Sequence, residues 1–475
     1  MENHKVYVGI DIGTTATKAV CFDKSGKVIH EYSKEYPMYH PESNQSIQKP
    51  KEVLEAVLYC IQEITMEHQP EFISFSSAMQ SVLLIDELGN PLTDAIIWAD
   101  NRAHDLAEAL KVSAKGSSFY KNTGIPIHTF SPMTKIAWLK EYEEKLFSKA
   151  FKFISLKEYV WHQLTGEYAI DSSMASGTGI MNIHNLEWDI DILKFLGLHS
   201  NQLSKIVKPT HNCKGLNDDW LYIIGGGDGA LANLGTGAME PGKVALTIGT
   251  SGAVRLPIDK PFIDSQMRTQ CYHLIDNQYL TLGAVSNGAI VLQWLKESIL
   301  KTEDSFETLF EQAVNITAGS DGLLFVPYLL GERAPIWDAS AKGTLLGINI
   351  IHTQAHFIRA TMEGILFGLL NILEILVPDK KIREQHTIMA SGGFAKSDFW
   401  LQMTADIFQM EVRIAQTVEA SAWGAVLIGF KSKEIEVLPM TSNGKVFVPN
   451  NKHKLIYEQS FTKFKRVYPL LKELE

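Results

Sequence analysis

Cysteine is scarce in this chain, and long apolar runs are absent. The 475 residues include four cysteines that are widely separated and form no Cys-x-x-Cys pair: Cys21, Cys60, Cys213 and Cys271. We therefore expect neither a disulfide-stabilised secreted fold nor a thiolate metal site, and reduced thiols fit the cytoplasm. No stretch of roughly 18 consecutive apolar residues occurs, and no apolar signal segment precedes the first predicted strand. The sequence predicts a cytoplasmic protein without a membrane-spanning helix.

Positive charge is also in deficit. Lysine and arginine total 44 against 54 aspartate and glutamate residues, which leaves a net charge of −10. This balance argues against binding to nucleic acid or to an anionic membrane surface. An anionic ligand must therefore be held by local donors against the overall field. Hydrophobic residues make up 45% of the chain, as in ordinary globular proteins, and the length predicts two or three domains.

An apolar strand near the N-terminus runs into a group of polar residues that suits a nucleotide phosphate. After the apolar residues 6–10, the group follows in this order: Asp11, Gly13, Thr14, Thr15 and Lys18. A glycine lets the backbone turn tightly and brings its N–H groups close to an anion. The threonines add hydroxyl donors, the lysine adds charge, and the aspartate can hold a hydrated Mg²⁺. A polar hairpin without a ligand is the plainer alternative.

A second, similar turn lies half a chain away. The sequence Ile-Gly-Thr-Thr at 12–15 recurs as Ile-Gly-Thr-Ser at 248–251, which includes Gly249 and Thr250. A repeated strand and turn predicts two related domains that close on one nucleotide. The second copy has Thr247 in the position of the aspartate, so only the first turn would supply a metal carboxylate.

The rest of the pattern mixes strands and helices and predicts an α/β protein. Residues 6–35 read as strands joined by turns, unlike the strand–helix start of a Rossmann unit. Helical spacing of apolar residues predicts long helices at Val53–Glu67, Ile290–Ile299, Gln354–Leu376 and Asp398–Phe408. We place the domain boundary so that the first domain comprises residues 1–244 and the second comprises residues 245–475.

Asp228 lies in the glycine cluster 225–229, at the end of a strand predicted to run from Ile223 through Gly229. A turn aspartate is the ordinary interpretation. A carboxylate at a strand end beside the domain boundary is also placed to accept a proton from an alcohol. Segment 237–243 has the spacing of a phosphate-binding P-loop, but Val244 stands where that motif needs serine or threonine. We interpret that segment as a connection.

Two further clusters suit a sugar and a nucleotide. Trp98, Asp100 and Arg102 combine an aromatic face, a carboxylate and a guanidinium group, a mixture that often binds sugars. A surface turn with an Asp–Arg pair explains the same residues. Gly392 and Gly393 precede a predicted helix, where a phosphate or a flat ligand can approach the backbone closely. A tight turn is the alternative there.

Taken in order, these motifs resemble the FGGY family of carbohydrate kinases, within the superfamily of actin, hexokinase and Hsp70-like ATPases. The resemblance covers nearly the whole chain. It rests on six separated segments at residues 9–15, 98–102, 226–229, 248–252, 325–335 and 392–406. It implies two ribonuclease H-like domains with an interdomain cleft, ATP and Mg²⁺ as cofactors, and a small sugar or sugar acid as the substrate. It leaves a homodimer open as the oligomeric state.

The resemblance also implies roles for individual residues. Asp11 would orient the metal, and Asp228 would be the catalytic base. The implied nucleotide contacts are Gly13, Thr14, Thr15, Lys18, Gly249, Thr250, Gly288, Gln293, Gly393 and Ser397. The implied substrate contacts, besides Asp228, are Met79, Gln80, Trp98, Asp100 and Arg102.

The substrate is indicated by a smaller set of residues. Met79 and Gln80 occupy a pair that is Arg-Glu in glycerol kinases and Met-His in xylulokinases, so the sequence matches neither pair in full. The run at residues 35–41, followed by Ile47 and Gln48, is similar to bacterial gluconokinases. We therefore expect ATP-dependent phosphorylation of a sugar acid, D-gluconate to 6-phosphogluconate. Another sugar kinase, such as a xylulokinase, is the alternative, and a non-catalytic actin-like or Hsp70-like nucleotide-regulated protein is a third interpretation.

A gluconate carboxylate would need a cationic or amide partner inside this acidic protein. The sequence offers Gln80, Arg102 and Lys157 as candidates and does not rank them.

Overall fold

The computed structural model describes residues 5–415, 419–437 and 444–474. The first half of the chain alternates strands with helices. Its strands are β1 (Val6–Ile12), β2 (Ala16–Phe22), β3 (Val28–Glu35), β4 (Ile47–Gln48), β5 (Pro70–Ser77), β6 (Leu83–Ile85), β7 (Ala95–Ile96), β8 (Lys152–Ile154), β9 (Ala169–Asp171), β10 (Met181–Asn182), β11 (Glu187–Trp188), β12 (Lys205–Val207), β13 (Asn212–Lys214) and β14 (Leu221–Gly227). Its helices are α1 (Pro50–Glu67), α2 (His104–Lys111), α3 (Ala114–Thr123), α4 (Pro132–Tyr142), α5 (Glu144–Lys149), α6 (Leu156–Thr165), α7 (Ser172–Ser176), α8 (Ile190–Leu196) and α9 (Asp228–Gly235).

The main sheet of the first half brings two carboxylates towards one edge. Its strand order is β13-β14-β5-β1-β2-β3. Strand β1 is antiparallel to β2 and parallel to β5, which is in turn parallel to β14. Asp11 on β1 and Gly226 on β14 are both register partners of Ser76 on β5. Because the carboxyl ends of parallel strands meet at one edge, Asp11 and Asp228 approach each other there.

The second half repeats this plan. Its strands are β15 (Lys243–Ile248), β16 (Gly252–Ile258), β17 (Gln270–Ile275), β18 (Gln278–Val285), β19 (Leu324–Val326), β20 (Thr344–Leu346), β21 (Thr387–Ser391), β22 (Glu411–Ile414) and β23 (Val446–Phe447). Its helices are α10 (Ile290–Trp294), α11 (Phe306–Val314), α12 (Gln354–Leu376), α13 (Lys380–Arg383), α14 (Asp398–Phe408), α15 (Ala420–Ser432) and α16 (Asn451–Lys472).

The repeated turns occupy equivalent places in the two sheets. The second sheet has the order β17-β18-β16-β15-β21-β22-β23. Strand β15 is antiparallel to β16 and parallel to β21, as β1 is to β2 and β5. One glycine turn joins β1 to β2, and the other joins β15 to β16. The predicted α/β fold with two related halves is confirmed.

Several element boundaries differ from the sequence-based expectation. Helix α1 begins at Pro50 rather than Val53, since proline is tolerated in the first helical turn, where its missing N–H is not needed. Helix α10 ends at Trp294 and continues as a π-helical turn at Leu295–Leu300. The strand expected to run through Gly229 ends two residues earlier, and Asp228 is the first residue of α9. Segment 237–243 connects α9 to β15, as expected.

Helix α15 joins the two halves. It belongs to the second half of the chain but packs against α9, β1 and β5 of the first. A Cβ on Gly9 of β1 would lie 2.1 Å from the carbonyl oxygen of Ala422, and one on Gly424 would lie 2.0 Å from that of Leu231. Because both obstacles are backbone atoms, this packing requires glycine at the two positions.

Aromatic side chains surround the same helix. Tyr7 meets Phe430 edge-on with ring centroids 4.5 Å apart, and Phe22 lies against Trp423 at 5.1 Å. All four are buried, so their packing holds α15 on the first sheet. Among the described residues, no helix is both long and apolar enough to cross a membrane.

Replacing Gly9 by alanine is expected to destabilise the protein, because the new methyl group would overlap the backbone of Ala422. Overpacking of this kind costs roughly 1–3 kcal/mol, so Tm should fall by at least several degrees. The matched control is Gly368→Ala in α12, where the new Cβ would lie 3.9 Å from Val285 and alanine favours the helix. Calorimetry compares the two variants, and an unchanged Tm in Gly9→Ala would contradict the close contact.

Candidate active site

Asp11 is held at the end of β1 by hydroxyl groups from two elements. Ser76 on β5 donates to its Oδ1 at 2.7 Å, and Ser421 on α15 donates to its Oδ2 at 2.8 Å. Burial raises the pKa of Asp11, the two hydroxyl donors oppose that rise, and nearby Glu419 adds to it. Each carboxylate oxygen keeps a free lone pair, so the group suits a hydrated cation.

The first glycine turn is braced on several sides. The carbonyl of Gly13 accepts the Tyr36 hydroxyl at 2.7 Å, and the side chain of Thr14 accepts the indole N–H of Trp98 at 3.1 Å. Thr15 is exposed beside them. The sequence predicts that Lys18 contacts a phosphate, but here its ammonium forms an ion pair with a glutamate of the second half. That partner is Glu419, at 2.8 Å.

The second turn contains the predicted nucleotide contacts Gly249 and Thr250, and a third, Gly288, lies against it. The N–H of Gly288 donates to the carbonyl of Thr250 at 3.2 Å, which places Gly288 against this turn. Gly392 lies close to β15, since a Cβ there would be 2.5 Å from the carbonyl of Ile248. Above Gly249 and Gly393, by contrast, an added Cβ would meet nothing within 4 Å. The structure therefore leaves open space over these two glycines, as a bound nucleotide requires.

Two predicted nucleotide contacts have other partners. Ser397 accepts the N–H of Trp400 at 3.3 Å and caps the start of α14. Gln293 is exposed, and its amide donates to Glu297 one turn further along at 3.0 Å. Ser397 lies near the Gly393 turn because it is only four residues further along the chain. The side-chain amide of Gln293 is instead bonded within its own helical segment.

Asp228 begins α9 in a largely buried position. Its Oδ1 accepts the N–H of Gly229 at 2.6 Å. Burial and the negative charge of Asp11 raise the pKa of Asp228 to about 6, against the opposing effects of that N–H and of Arg255. A carboxyl group with this pKa is ionised near neutral pH and can still take up a proton during a reaction.

Arg255, which no sequence motif singles out, lies close to Asp228. Its Nη1 donates to the hydroxyl of Thr247 at 3.2 Å, and a Cβ on Gly229 would lie 3.4 Å from its Nε. The available signal was a single arginine inside the otherwise apolar strand at residues 252–258. A charge in such a strand calls for a partner in the fold, but the sequence does not show which one.

Gln80 reaches across the cleft, whereas Met79 packs within the first half. The sulfur of Met79 would be 2.5 Å from a Cβ on Gly227, so it packs directly beside the strand end that precedes Asp228. The amide of Gln80 donates to the hydroxyl of Tyr272 in the second half at 2.8 Å. Gln80 lies just after β5 and has a positive φ of 72°, a backbone conformation that residues other than glycine rarely adopt.

The Trp98–Arg102 cluster is only partly available to a ligand. Arg102 pairs with buried Asp100 through two hydrogen bonds of 2.9 Å, and Ser46 donates a backbone N–H to the same carboxylate at 2.7 Å. The Asp–Arg pair is thus closed on itself. Trp98 lines one small cavity together with Met79. The ring and the pair therefore do not form a single open site.

Proteins of known activity share this architecture over nearly the whole chain. Residues 6–235 match the N-terminal domain, and residues 244–432 the C-terminal domain, of the FGGY family of carbohydrate kinases. The gluconokinase of Bacillus subtilis (strain 168) is 42% identical over 446 residues, which cover 89% of this chain and 86% of that protein. The xylulose kinase of the same strain is 30% identical over 494 residues, covering 99% and 98%. The crystal structure of gluconate kinase from Lactobacillus acidophilus has a TM-score of 0.94 at 34% identity, covering 98% of both chains.

These matches span both halves of the chain, and each of the two family domains includes one of the paired turns. A non-catalytic actin-like or Hsp70-like protein, considered above, does not fit them. The chain belongs to the FGGY family of carbohydrate kinases, and it is an ATP-dependent sugar kinase.

Proposed function

We propose that this kinase phosphorylates D-gluconate to 6-phosphogluconate. The observation that carries the proposal is the place of Asp228, next to Asp11 and Arg255 in the cleft between two glycine turns. The 42% identity to a gluconokinase supports the choice of substrate. D-xylulose is the second candidate, because a xylulose kinase aligns over 99% of the chain.

In the proposed reaction, Asp228 accepts the proton of the terminal hydroxyl of gluconate. The hydroxyl oxygen forms a bond to the γ-phosphorus of ATP as the bond from that phosphorus to the bridging oxygen breaks, and ADP leaves. The N–H groups of Gly13 and Gly249 donate to Ala16 and Ser251 inside their own turns, so other backbone N–H groups of these turns would face the phosphates. Open space over Gly393 would receive the adenosine. The protein contributes mainly alignment and charge stabilisation.

Asp11 is the residue we propose for holding Mg²⁺. Its two oxygens each accept one hydroxyl hydrogen bond, from Ser76 and Ser421, so the carboxylate is oriented before any metal binds. When bound, Mg²⁺ neutralises negative charge on the phosphates. The second turn has Thr247 at the equivalent position, and its hydroxyl contacts Ser391 and Arg255 instead.

The choice of sugar is tested by a substrate panel. The protein is incubated with ATP and Mg²⁺ and with D-gluconate, D-xylulose, D-ribulose, L-fuculose or glycerol, and ADP release is measured. We expect kcat/KM for D-gluconate to exceed that for each neutral substrate by at least about tenfold, a difference of ~1.4 kcal/mol in transition-state binding. Preference for D-xylulose would instead support the second candidate.

The role of Asp228 is tested by Asp228→Asn. The amide keeps an oxygen for the N–H of Gly229 but cannot accept the substrate proton, so kcat should fall by about 10²–10⁴-fold. Binding of ATP, measured by calorimetry, should change little. Asp259→Asn, which alters an exposed carboxylate of the second half, is the control. Near-normal turnover in Asp228→Asn would remove this residue from the mechanism.

The same substitution should raise stability at high pH. The pKa of Asp228 is about 6 in the folded protein and 3.8 in its ordinary state, so the folded state binds the proton more tightly. Below both values the carboxyl is protonated in both states and burial costs little. Stability is lost as pH rises through about 4–6, because the ionised group must then be buried.

We therefore expect Asp228→Asn, measured without ligands, to raise Tm by about 2–4 °C at pH 8 and to have little effect near pH 4. The exposed control Asp259→Asn should show no such pH dependence. An equal change at both pH values would contradict the buried, proton-retaining environment of Asp228.

A further inference from the structure

Arg255 and Tyr272 lie on one face of the second sheet, and this face borders the cleft. Arg255 on β16 is paired with Leu282 on β18, which is paired in turn with Gln270 on β17. Paired residues point to the same face, as do residues two apart in one strand, so Tyr272 shares the face of Arg255. Its hydroxyl accepts the amide of Gln80 from the first half at 2.8 Å.

Arg255 lacks the partners that a buried guanidinium group normally has. Its Nη1 donates to the hydroxyl of Thr247, while its buried Nε has no hydrogen-bond partner. Within the described part of the chain, no carboxylate forms an ion pair with it within 4.0 Å, and Asp228 influences it only from a greater distance. Burial accordingly lowers the pKa of Arg255. A buried and incompletely paired cation destabilises the folded protein unless a ligand supplies the missing hydrogen-bond acceptor or negative charge.

A second arginine faces the same space. Arg333 donates to the carbonyl of Val285, at the end of β18, with a distance of 2.9 Å. After burial, its positive charge is the largest cause that lowers the pKa of His128, to about 3, and it also lowers the pKa of Arg255. The neighbouring carboxylate of Glu332 accepts the backbone N–H of Arg333 at 2.8 Å. The charge of Glu332 offsets part of that of Arg333, so Arg255 is the less compensated of the two guanidinium groups.

The cations suggested by the sequence are already paired. Arg102 is bound to Asp100, as described above. The ammonium of Lys157 lies 2.7 Å from Asp171 and is almost completely buried. In both cases the positive charge is already offset by a carboxylate of the protein, which weakens its attraction for a substrate carboxylate. Among the residues that the structure describes, Arg255 has no such ion pair.

We propose that Arg255, with Arg333 beside it, binds the carboxylate of the sugar-acid substrate while the hydroxyl at the other end of the substrate meets Asp228. This inference rests on the proposed function and extends it to a specificity site. A planar guanidinium group can form two parallel hydrogen bonds to a carboxylate. A neutral sugar would leave the incompletely paired guanidinium group of Arg255 without a carboxylate partner, so this residue would select against it.

The test separates binding from turnover. Binding of D-gluconate and of its neutral polyol analogue, D-glucitol, is measured by calorimetry on the wild-type protein and on Arg255→Gln, Arg255→Lys and Arg333→Gln. We expect Arg255→Gln to weaken binding of D-gluconate by about 10–100-fold and to leave that of D-glucitol unchanged or stronger. Arg255→Lys keeps the charge but not the planar guanidinium group. Its affinity for D-gluconate should lie between those of the wild-type protein and Arg255→Gln.

Arg466→Gln is the matched control, because Arg466 is exposed on α16 outside the cleft and the charge change is the same. Thermal unfolding shows whether each variant is folded. If Arg255→Gln does not fold, binding by Arg255→Lys is compared with that of the wild-type protein instead. If Arg255→Gln weakened D-gluconate and D-glucitol equally, the carboxylate site would be wrong. ADP release by the wild-type protein answers a separate question: no turnover of D-gluconate would refute the proposed function, while selective loss of binding in Arg255→Gln would still support a carboxylate site.

Discussion

Helix α15 lies so close to β1 that residue 9 has no room for a side chain, and the arrangement of the site depends on this contact. The helix comes from the second half of the chain, yet Ser421 at its start donates to Asp11 of the first. Just before the helix, Glu419 pairs with Lys18. The same helix packs on α9, whose first residue is Asp228. The packing of this one helix on β1 and on α9 therefore helps to position both carboxylates.

The site holds charges that would be more stable in water. Burial raises the pKa of Asp228 to about 6 and lowers that of Arg255, and the two groups stay too far apart for an ion pair. A protein selected for stability alone would bring such charges together or replace them with apolar residues. In the proposal above, a substrate with a hydroxyl and a carboxylate would give each of the two groups a partner.

The parts of the fold that were predicted well depend on local pattern. Helices α12 and α14 have the bounds that apolar spacing predicts, because their periodicity is long and their ends are marked. The predicted strand through Gly229 is two residues too long, because a run of glycines does not show where a strand ends and a helix begins. For the Trp98–Arg102 cluster, the sequence allowed either a sugar-binding site or a surface turn with an Asp–Arg pair. These alternatives differ only in where the side chains point. The structure pairs Asp100 with Arg102 and leaves the ring apart.

The sequence by itself determined the repeated Ile-Gly-Thr turns, the α/β class and the place of Asp228 beside glycines, because each is encoded in a few consecutive residues. Only the tertiary structure decided which residues face one another across the cleft. The sequence shows Arg255 only as a single charge in an apolar strand and Gln80 only as an implied substrate contact. The structure places the first beside Gly229 and the second against Tyr272. These contacts join residues far apart in the chain, and their geometry arises from the packing of two sheets and one shared helix rather than from any local pattern.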